Sequence, residues 1–557
     1  MKNIATAFFF LVFTVMIFSQ TANMNISKAG PKTIQIYNSH YAQIYYVSQK
    51  TGSDKKGNGY KANPWKTVFH ALNSVKGESE NHRVAVFVAE GDYAKVTVIM
   101  KEYVDLFGGF STDTWERDIY KYSTILDGSN ARRVVMGADN ATLDGFTVKN
   151  GLSRSHGGGI LCDDSAPTIS NCFIVDNYAL EPSDFDNQRI HQHGNEGGGV
   201  ACLYDATPHI ENNLFYNNRT SIGDGGALSF YGWSRKRHGT SRRIENNFMV
   251  GYIRPVVRNN IFAENTAGVN DIFRTRSSNG GAISCSHEAR PIIENNVIVS
   301  NRAKGNSDAG GIYAEDFSYP TINGNWIVGN ITDDDGGGMY IMRTSHALIT
   351  NNIIAGNWTM NGGAGGIRLS KEGRATITDN IIVDNQSGGG VQCIDSYMEL
   401  KNNIIMNNKG KTSIRYSNTF SYFIPTQIEN NIVLNNEGKI DLELRKGETI
   451  NFNNNDINEK VPGKNNRFKP VTINNQNITG TIRNYLFDDS NYQTIIETKN
   501  LDNTKSLEGR VIRIGKFWSV IDSVENNKVY VWGNLEQRES NISKFTILPL
   551  YTKLFSR

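Results

Sequence analysis

The chain has 557 residues, enough for one large domain and a smaller one. Its 58 Lys and Arg residues nearly balance 55 Asp and Glu residues, and both signs are spread along the sequence. The formal charge of +3 therefore gives no support for a nucleic-acid partner or for a basic membrane-binding patch. The 5 cysteines are widely spaced without a CxxC pair, which argues against a disulfide framework and a thiolate zinc site.

Residues 1–22 have the features of a secretory signal peptide. Lys2 supplies the positive charge, Ile4 to Phe18 is almost wholly apolar, and Ala22 is a small residue suited to cleavage. The apolar run is shorter than the roughly 20 residues that a membrane span needs. We therefore predict that this segment is removed, that the protein does not insert into a membrane, and that it is secreted, periplasmic or on the cell surface.

A glycine cluster followed by an apolar residue recurs eight times between residues 157 and 391. The apolar residues that follow the clusters are 40, 28, 55, 29, 27, 28 and 24 residues apart. Such a period is typical of stacked structural repeats. We interpret the interval of 40 as one coil with an inserted loop, and the interval of 55 as close to two coils.

A second phrase follows most clusters, as in Ile293 to Asn301 and Ile349 to Asn357. Alternating apolar residues predict two very short strands joined by an Asn-bearing bend. A unit of about 27 residues cannot bury its own apolar face, so the units must stack at the ordinary strand spacing of about 4.8 Å. We expect one column of bend residues that bond to one another and adopt the left-handed backbone, formed by Asn213, Asn260, Asn296, Asn325, Asn352, Asn380, Asn403 and Asn431.

Several motifs resemble the pectate-lyase-like superfamily of right-handed parallel β-helix proteins of the exported bacterial type. They are Tyr46-Val47-Ser48, Gly52-Ser53-Asp54, Pro64-Trp65-Lys66-Thr67-Val68 with Ala71-Leu72, Glu90-Gly91-Asp92-Tyr93 and Leu143-Asp144-Gly145-Phe146-Thr147-Val148. The resemblance covers about residues 44 to 440 and implies a short amphipathic helix that caps the first coil. It says little about activity, because this scaffold carries lyases, hydrolases, epimerases and surface adhesins.

The predicted fold is all-β, a right-handed parallel β-helix solenoid with an N-terminal cap helix and a small C-terminal antiparallel β module. We assign residues 23–440 to the β-helix and residues 441–557 to the final coils and this module. The module is indicated by alternating segments at 511–515, 528–533 and 545–548. We expect it to cap the exposed edge of the last coil.

Aligning the coils on the residue after each glycine cluster predicts which side chains share a face. That residue points inward, so the next residue points outward, and the one after it points inward again. The second inward position holds four of the five cysteines, which favours buried thiols over a redox role. The predicted outward column is Leu161, Ala201, Ser229, Ser284, Tyr313, Tyr340, Arg368 and Gln392.

Charged residues flank the middle part of this column. Glu196, Asp224, Asp308 and residues 333–335 precede the glycines, while basic residues follow the strand ends. We expect a groove with acids along one border, cations along the other, and tyrosines with glycines between, where a sugar ring can stack. The predicted substrate-binding residues are Tyr313, Trp233 and Gln392.

The first mechanistic hypothesis is β-elimination from a uronic acid in an acidic polysaccharide or oligosaccharide. Arg343 and Arg368 would grip the sugar carboxylate and stabilise the carbanion-like intermediate. Lys371 or His287 would remove the proton at C5, and Tyr340 or Tyr313 would protonate the leaving oxygen. If the leaving group is a ring hydroxyl, the same residues would catalyse a dehydration. We expect the enzyme to be a monomer.

The same residues allow other hypotheses. Glu315, Asp316 and Asp335 are candidate ligands of a Ca²⁺ ion that would help to neutralise the substrate carboxylate. A glycoside hydrolase would instead use two or three carboxylates from Asp308, Glu315, Asp316 and Asp335. A non-catalytic adhesin would show uniform outer-face residues, whereas the charges and tyrosines here concentrate in the middle coils.

Overall fold

The structure is a computed structural model that describes most of the chain. The described residues are 29–77, 79–94, 96–180, 196–233, 254–269, 278–419, 426–445, 450–457, 461, 463–467, 477–499, 501, 507–538 and 542–549. The predicted signal peptide at 1–22 lies outside them. Within these ranges, helices are few and short, and none has the length and apolar character needed to traverse a bilayer.

The chain winds through coils whose strands stack in parallel into four sheets, here named sheet I, sheet II, the short sheet and sheet III in the order in which each coil visits them. In the described residues, sheet I contains Gln43–Val47, Val84–Ala89, Val104–Phe110, Thr142–Asp144, Thr168–Ser170, His209–Glu211, Val256–Arg258, Ile292–Glu294, Thr321–Asn323, His346–Thr350, Arg374–Thr378, Tyr397–Lys401, Gln427–Glu429 and Asn451–Asn453. Sheet II contains Gly91–Asp92, Thr124–Asp127, Thr147–Lys149, Phe173–Val175, Leu214–Tyr216, Ile261–Ala263, Val297–Val299, Trp326–Val328, Ile353–Ala355, Ile381–Val383, Ile404–Met406, Ile432–Leu434 and Asp456–Ile457.

The two remaining sheets complete each coil. The short sheet contains Leu152–Ser153, Tyr178–Ala179, Arg219–Thr220, Thr266–Ala267, Arg302–Ala303, Ile331–Thr332 and Trp358–Thr359. Sheet III contains Val98–Ile99, Val135–Met136, Ile160–Asp163, Val200–Leu203, Leu228–Tyr231, Ile283–Ser286, Ile312–Ala314, Met339–Ile341, Ile367–Leu369, Val391–Ile394, Thr412–Ser417 and Lys439–Glu443. The parallel β-helix predicted from the repeat is therefore confirmed.

The predicted cap helix is also present. It spans Val68–Ser74, and the hydroxyl of Thr67 caps its first turn by accepting a hydrogen bond from the backbone N–H of His70. Val68, Ala71 and Leu72 bury their side chains in the core of the first coils. Two short 3₁₀ helices, Asn38–His40 and Glu80–His82, lie nearby in the sequence.

The register of sheet III corrects one interpretation of the repeat. Leu228 pairs directly with Ile283, so the interval of 55 residues is a single coil with long insertions and not two coils. The interval of 40 is one coil, as predicted, because Ile160 pairs with Val200. The inward positions, including all five cysteines, are buried and the thiols are free, which confirms their core role.

The bend between sheets I and II carries the predicted Asn column. The backbone N–H and the Nδ2 of Asn325 both donate to Oδ1 of Asn352, at 2.9 and 3.0 Å, and the pattern repeats from Asn213 to Asn431. The left-handed backbone, however, falls on the residue before each column Asn, such as Asn351 with a φ of 56°. A second buried Asn ladder, which the sequence analysis did not predict, runs from Asn177 to Asn436 at the end of sheet II.

The C-terminal module is a closed antiparallel barrel formed by Ile478–Asp488, Gln493–Lys499, Val511–Ile514, Phe517–Glu525, Lys528–Trp532 and Lys544–Ile547. It packs against the outer face of sheet II, with Trp518 buried over Gly329 and Gly356. Arg538 forms an ion pair with Glu264 of the β-helix. The expectation that the module caps the last coil is wrong, because apolar outward side chains on sheet II provide a flank for it to cover.

Candidate functional site

The predicted outward column exists on sheet III. Tyr313 pairs with Tyr340, Tyr340 pairs with Arg368, and Arg368 pairs with Gln392, so these residues are vertical neighbours in successive coils. Side chains at paired positions of neighbouring strands lie about 5 Å apart. The sequence positions, although nearly 30 residues apart, therefore form one surface.

A second column stands at the bend after each sheet III strand. His287, Asp316, Arg343 and Lys371 adopt left-handed backbone there, as does Asp395 in the next coil. Backbone hydrogen bonds between neighbouring bends hold the coils in register, for example the bond from the Thr344 N–H to the Lys371 carbonyl. The strand ends therefore present a vertical row of charged side chains beside the outward column.

Between this row and the acids that precede the glycines lies a cleft of about 390 Å³. That volume is within the usual range for small-molecule sites. The cleft is lined by Asn306, Asp308, Asp334, Asp335, Tyr340, Arg368, Ser370, Lys371, Ile394 and Asp395. In these coils Asp334 and Asp335 lie on one border and Lys371 on the other, as predicted, but Asp395 adds an acid to the border that was predicted to be cationic.

Asp308 is the least solvated acid of the cleft. Its backbone N–H donates to Oδ1 of Asn279 at 2.9 Å, and its Oδ1 accepts the backbone N–H of Asp335 at 3.1 Å. Burial, and then the charge of nearby Asp335, raise the pKa of Asp308 well above its usual value, while Lys371 opposes the shift. Asp308 therefore tends to hold its proton to a higher pH than an ordinary aspartic acid does.

Asp335 faces Arg368 across the cleft floor. The Arg368 guanidinium lies 3.6 Å from Asp335 Oδ2 and also donates to Oε1 of Gln392. Gln392 is in turn fixed by donating to the Gly388 carbonyl at 2.7 Å. A Cβ on Gly363 would overlap Asp335 Oδ1, so this glycine leaves space for the carboxylate. Gln392 therefore orients Arg368 and is nearly buried, which does not fit the predicted direct contact with substrate.

Tyr340 and Lys371 complete the cleft. The Tyr340 hydroxyl bonds to Ser370 Oγ, and burial raises the pKa of Tyr340 to about 12, so its phenol is protonated at neutral pH. Only 4% of Tyr340 is exposed, so its ring offers little surface to the cleft that it borders. The prediction that tyrosine faces offer an open sugar platform is wrong for both tyrosines, since Tyr313 is 2% exposed.

The remaining predicted residues form a second cluster that extends over four successive coils, from the strand Leu228–Tyr231 to the strand Met339–Ile341. Glu315 Oε2 accepts the Tyr313 hydroxyl at 2.9 Å and Arg343 Nη1 at 2.7 Å. His287 lies 3.7 Å from Asp316 and packs on the Tyr231 ring, with the Trp233 ring centroid 6.1 Å away. The structure therefore separates Arg343, His287 and Trp233 from the cleft that holds Arg368, Lys371 and Tyr340.

Buried acids extend this second cluster further. Glu196 is fully buried, with Oε2 bonded to Ser229 and Oε1 without a hydrogen bond, and burial raises its pKa to about 7. Burial and the charge of Glu315 likewise raise the pKa of Asp224. These groups lie on the same face as the cleft but are covered, so they do not border its open volume.

The predicted calcium ligands do not converge. Glu315 and Asp316 pair with Arg343, whereas Asp335 pairs with Arg368. Over the described ranges, no three His, Cys, Asp or Glu side chains stand close enough to hold a metal ion. The geometry thus gives the calcium hypothesis no support at this site.

Stacked parallel coils with a polar cleft on one sheet define a solenoid of the right-handed β-helix class. The family model for the right handed beta helix region matches residues 119–327 and, in an overlapping match, 305–457. Because these matches span more than half of the chain, the protein belongs to this family. No match is found among curated proteins. The family fits a carbohydrate-active or glycan-binding protein, and it includes enzymes that act on polysaccharides.

Four residues that line the cleft, Asn306, Ser370, Ile394 and Asp395, were not predicted from the sequence. Ser370 and Asp395 were recoverable in principle, because each occupies the same place after its sheet III strand as residues that were singled out in other coils. Asn306 carried no such signal, since it lies in an irregular segment before the glycines.

Proposed function

We propose that the protein is an exported enzyme, related to the pectate-lyase-like proteins, that hydrolyses an acidic glycan in the cleft between Asp308 and Lys371. One observation carries the proposal. Asp308, a carboxyl group whose pKa is raised well above its usual value by burial, shares the cleft with Asp335, whose carboxylate lies 3.6 Å from the Arg368 guanidinium. A carboxyl group with a raised pKa, placed beside a second carboxyl group, is the usual arrangement for glycoside hydrolysis.

In the proposed reaction, Asp308 is the general acid and Asp335 is the general base. Asp308 donates its proton to the glycosidic oxygen as the bond to the anomeric carbon breaks. Asp335 accepts a proton from the water that attacks this carbon, and the hydroxide remains on the sugar. Oδ1 of Asp308 is already occupied by the Asp335 N–H, so its proton is carried on Oδ2.

Arg368 and Lys371 would bind the acidic group of the substrate. Nε of Arg368 is buried without a hydrogen bond, and such a donor costs about 1–3 kcal/mol until an acceptor reaches it. The two cations also offset part of the negative charge of Asp334, Asp335 and Asp395. A uronate or sulfated sugar is therefore favoured over a neutral one.

β-Elimination is the second candidate, and a specific observation favours it. Arg368, Lys371 and the protonated Tyr340 meet in a single cleft, and these groups match the carboxylate binder, the base and the acid of a lyase. We place hydrolysis first because it gives both Asp308 and Asp335 a role, whereas elimination leaves the raised pKa of Asp308 without one.

The test is to incubate the full chain with a panel of uronate polysaccharides and their oligosaccharides. Hydrolysis predicts new reducing ends without the ultraviolet absorbance of an unsaturated uronate. Equal growth of both signals would replace hydrolysis with elimination. If the protein binds a glycan of the panel but releases no product from any member, the enzyme proposal fails and a glycan-binding role takes its place.

A further inference from the structure

A second cavity lies at the other end of the solenoid, at the corner between sheets I and II. It measures about 780 Å³ and is lined by Gln49, Lys50, Lys66, Glu90, Gly91, Thr112, Lys121 and Ser123. The cleft described above opens on sheet III, about six coils further along, which corresponds to roughly 30 Å at the ordinary strand spacing. The two cavities are therefore separate; the one at this corner is called the basic cavity below.

The lining of the basic cavity holds three lysines, Lys50, Lys66 and Lys121, against one carboxylate, Glu90, and Lys50 also lies 3.7 Å from Asp113. The loop at 50–66 contains Lys50, Lys55, Lys56, Lys61 and Lys66, all of them exposed, against the single acid Asp54. The carboxylate of Asp54 is occupied by the backbone N–H groups of Lys66 and Thr67 and by the Thr67 hydroxyl. Lys121 adds a further cation, whereas the chain as a whole carries only +3.

One polar group at the wall of the cavity, the Thr112 hydroxyl, lacks a hydrogen-bond partner in the structure. The Thr112 hydroxyl is buried and forms no hydrogen bond, although its backbone N–H donates to Glu90. A buried hydroxyl without a hydrogen-bond partner costs free energy, so a ligand that offers an acceptor to Thr112 is favourable. Gly91 lets a ligand approach the backbone at the wall of the cavity.

We infer that the basic cavity binds a carboxylated or sulfated saccharide and anchors the protein to an acidic polymer, independently of cleavage in the cleft. The lysine charges attract the acid groups of such a polymer, and the Thr112 hydroxyl matches its oxygen acceptors. The inference takes the polymer class from the proposed function, but the residues are different. The protein would thus hold one part of a polymer while another part enters the cleft.

The experiment is calorimetric titration of the full chain with a defined oligogalacturonate. We expect two sites, of which the Lys50→Gln/Lys66→Gln/Lys121→Gln variant loses one, with at least about a tenfold fall in affinity. Thr112→Val should weaken the same site about threefold without changing charge. The matched control, Lys401→Gln/Lys439→Gln/Lys528→Gln, removes three charges elsewhere and should retain both sites.

The outcomes separate this inference from the proposed function. If the cavity variant keeps both sites, or the control loses one equally, the inference is overturned while cleavage in the cleft stands. If Arg368→Ala leaves cleavage intact but the cavity variant still loses a site, the proposed function fails and the inference stands. Tighter binding of a DNA oligomer than of the saccharide to the same lysines would overturn the inference in favour of a nucleic-acid site.

Discussion

Replacing Asp308 by Asn should lower kcat/KM on the cleaved oligosaccharide by about 10²–10⁴-fold, the usual contribution of a general acid. The amide keeps the Oδ1 that accepts the Asp335 N–H, so the local fold is preserved. It cannot deliver a proton to the leaving oxygen. The measurement is the initial rate of reducing-end formation for the variant and the unaltered protein, with far-ultraviolet circular dichroism to check folding.

Asp384→Asn is the matched control for this substitution. Burial also raises the pKa of Asp384, to about 6, but this residue lies on the bend after sheet II, away from the cleft. Its loss should leave the rate within about twofold. Equal rates for Asp308→Asn and the unaltered protein would show that Asp308 does not supply the proton.

The pH dependence of the reaction follows from the same group. Because the pKa of Asp308 is raised, the protonated acid persists to higher pH than an ordinary Asp, and activity should fall as pH rises through that value. Asp308→Asn should remove this alkaline limb from any residual activity. If the fall in activity at alkaline pH is unchanged in the variant, a group other than Asp308 causes it.

Asn325→Ala should lower the free energy of unfolding by about 3 kcal/mol, although no catalytic group is near. Asn325 Nδ2 donates to Oδ1 of Asn352 and to the Ile293 carbonyl, and its Oδ1 accepts from Asn296. Alanine leaves these buried groups without partners in the middle of the ladder. Urea denaturation followed by circular dichroism gives the change.

Asn451→Ala, at an exposed strand position in sheet I, is the control for the ladder. It removes an asparagine of the same solenoid without breaking a buried chain of hydrogen bonds and should change stability by less than about 0.5 kcal/mol. A similar small change at Asn325 would mean that the side-chain ladder adds little to the stacking of the coils.

Much of the fold follows from the repeat, because stacking converts a sequence interval into a vertical neighbour. The pairing of Tyr313 with Tyr340 and of Tyr340 with Arg368 was predictable for that reason. The long coil between Leu228 and Ile283 was misread, since an insertion and an extra coil give the same interval. The spacing of the glycine clusters is the same in both cases, so it does not distinguish an insertion from an extra coil.

The candidate site was less predictable than the column beneath it. The same role was predicted for Arg343 and Arg368, but Glu315 binds Arg343 in the second cluster, and only Arg368 borders the cleft. The state of Asp308 depends on burial by several segments at once, which no local pattern records. The flank position of the barrel likewise depends on apolar outward residues in sheet II, such as Trp326 and Val328, that resembled core residues in sequence.

The most direct measurement is a crystal structure of Asp308→Asn with an acidic oligosaccharide bound. We predict that the sugar lies between coils 308–316 and 391–395, with its acid group on Arg368 and Lys371 and a glycosidic oxygen beside position 308. A saccharide seen only in the second cluster or in the basic cavity, at concentrations that saturate the protein, would contradict the placement of cleavage in this cleft.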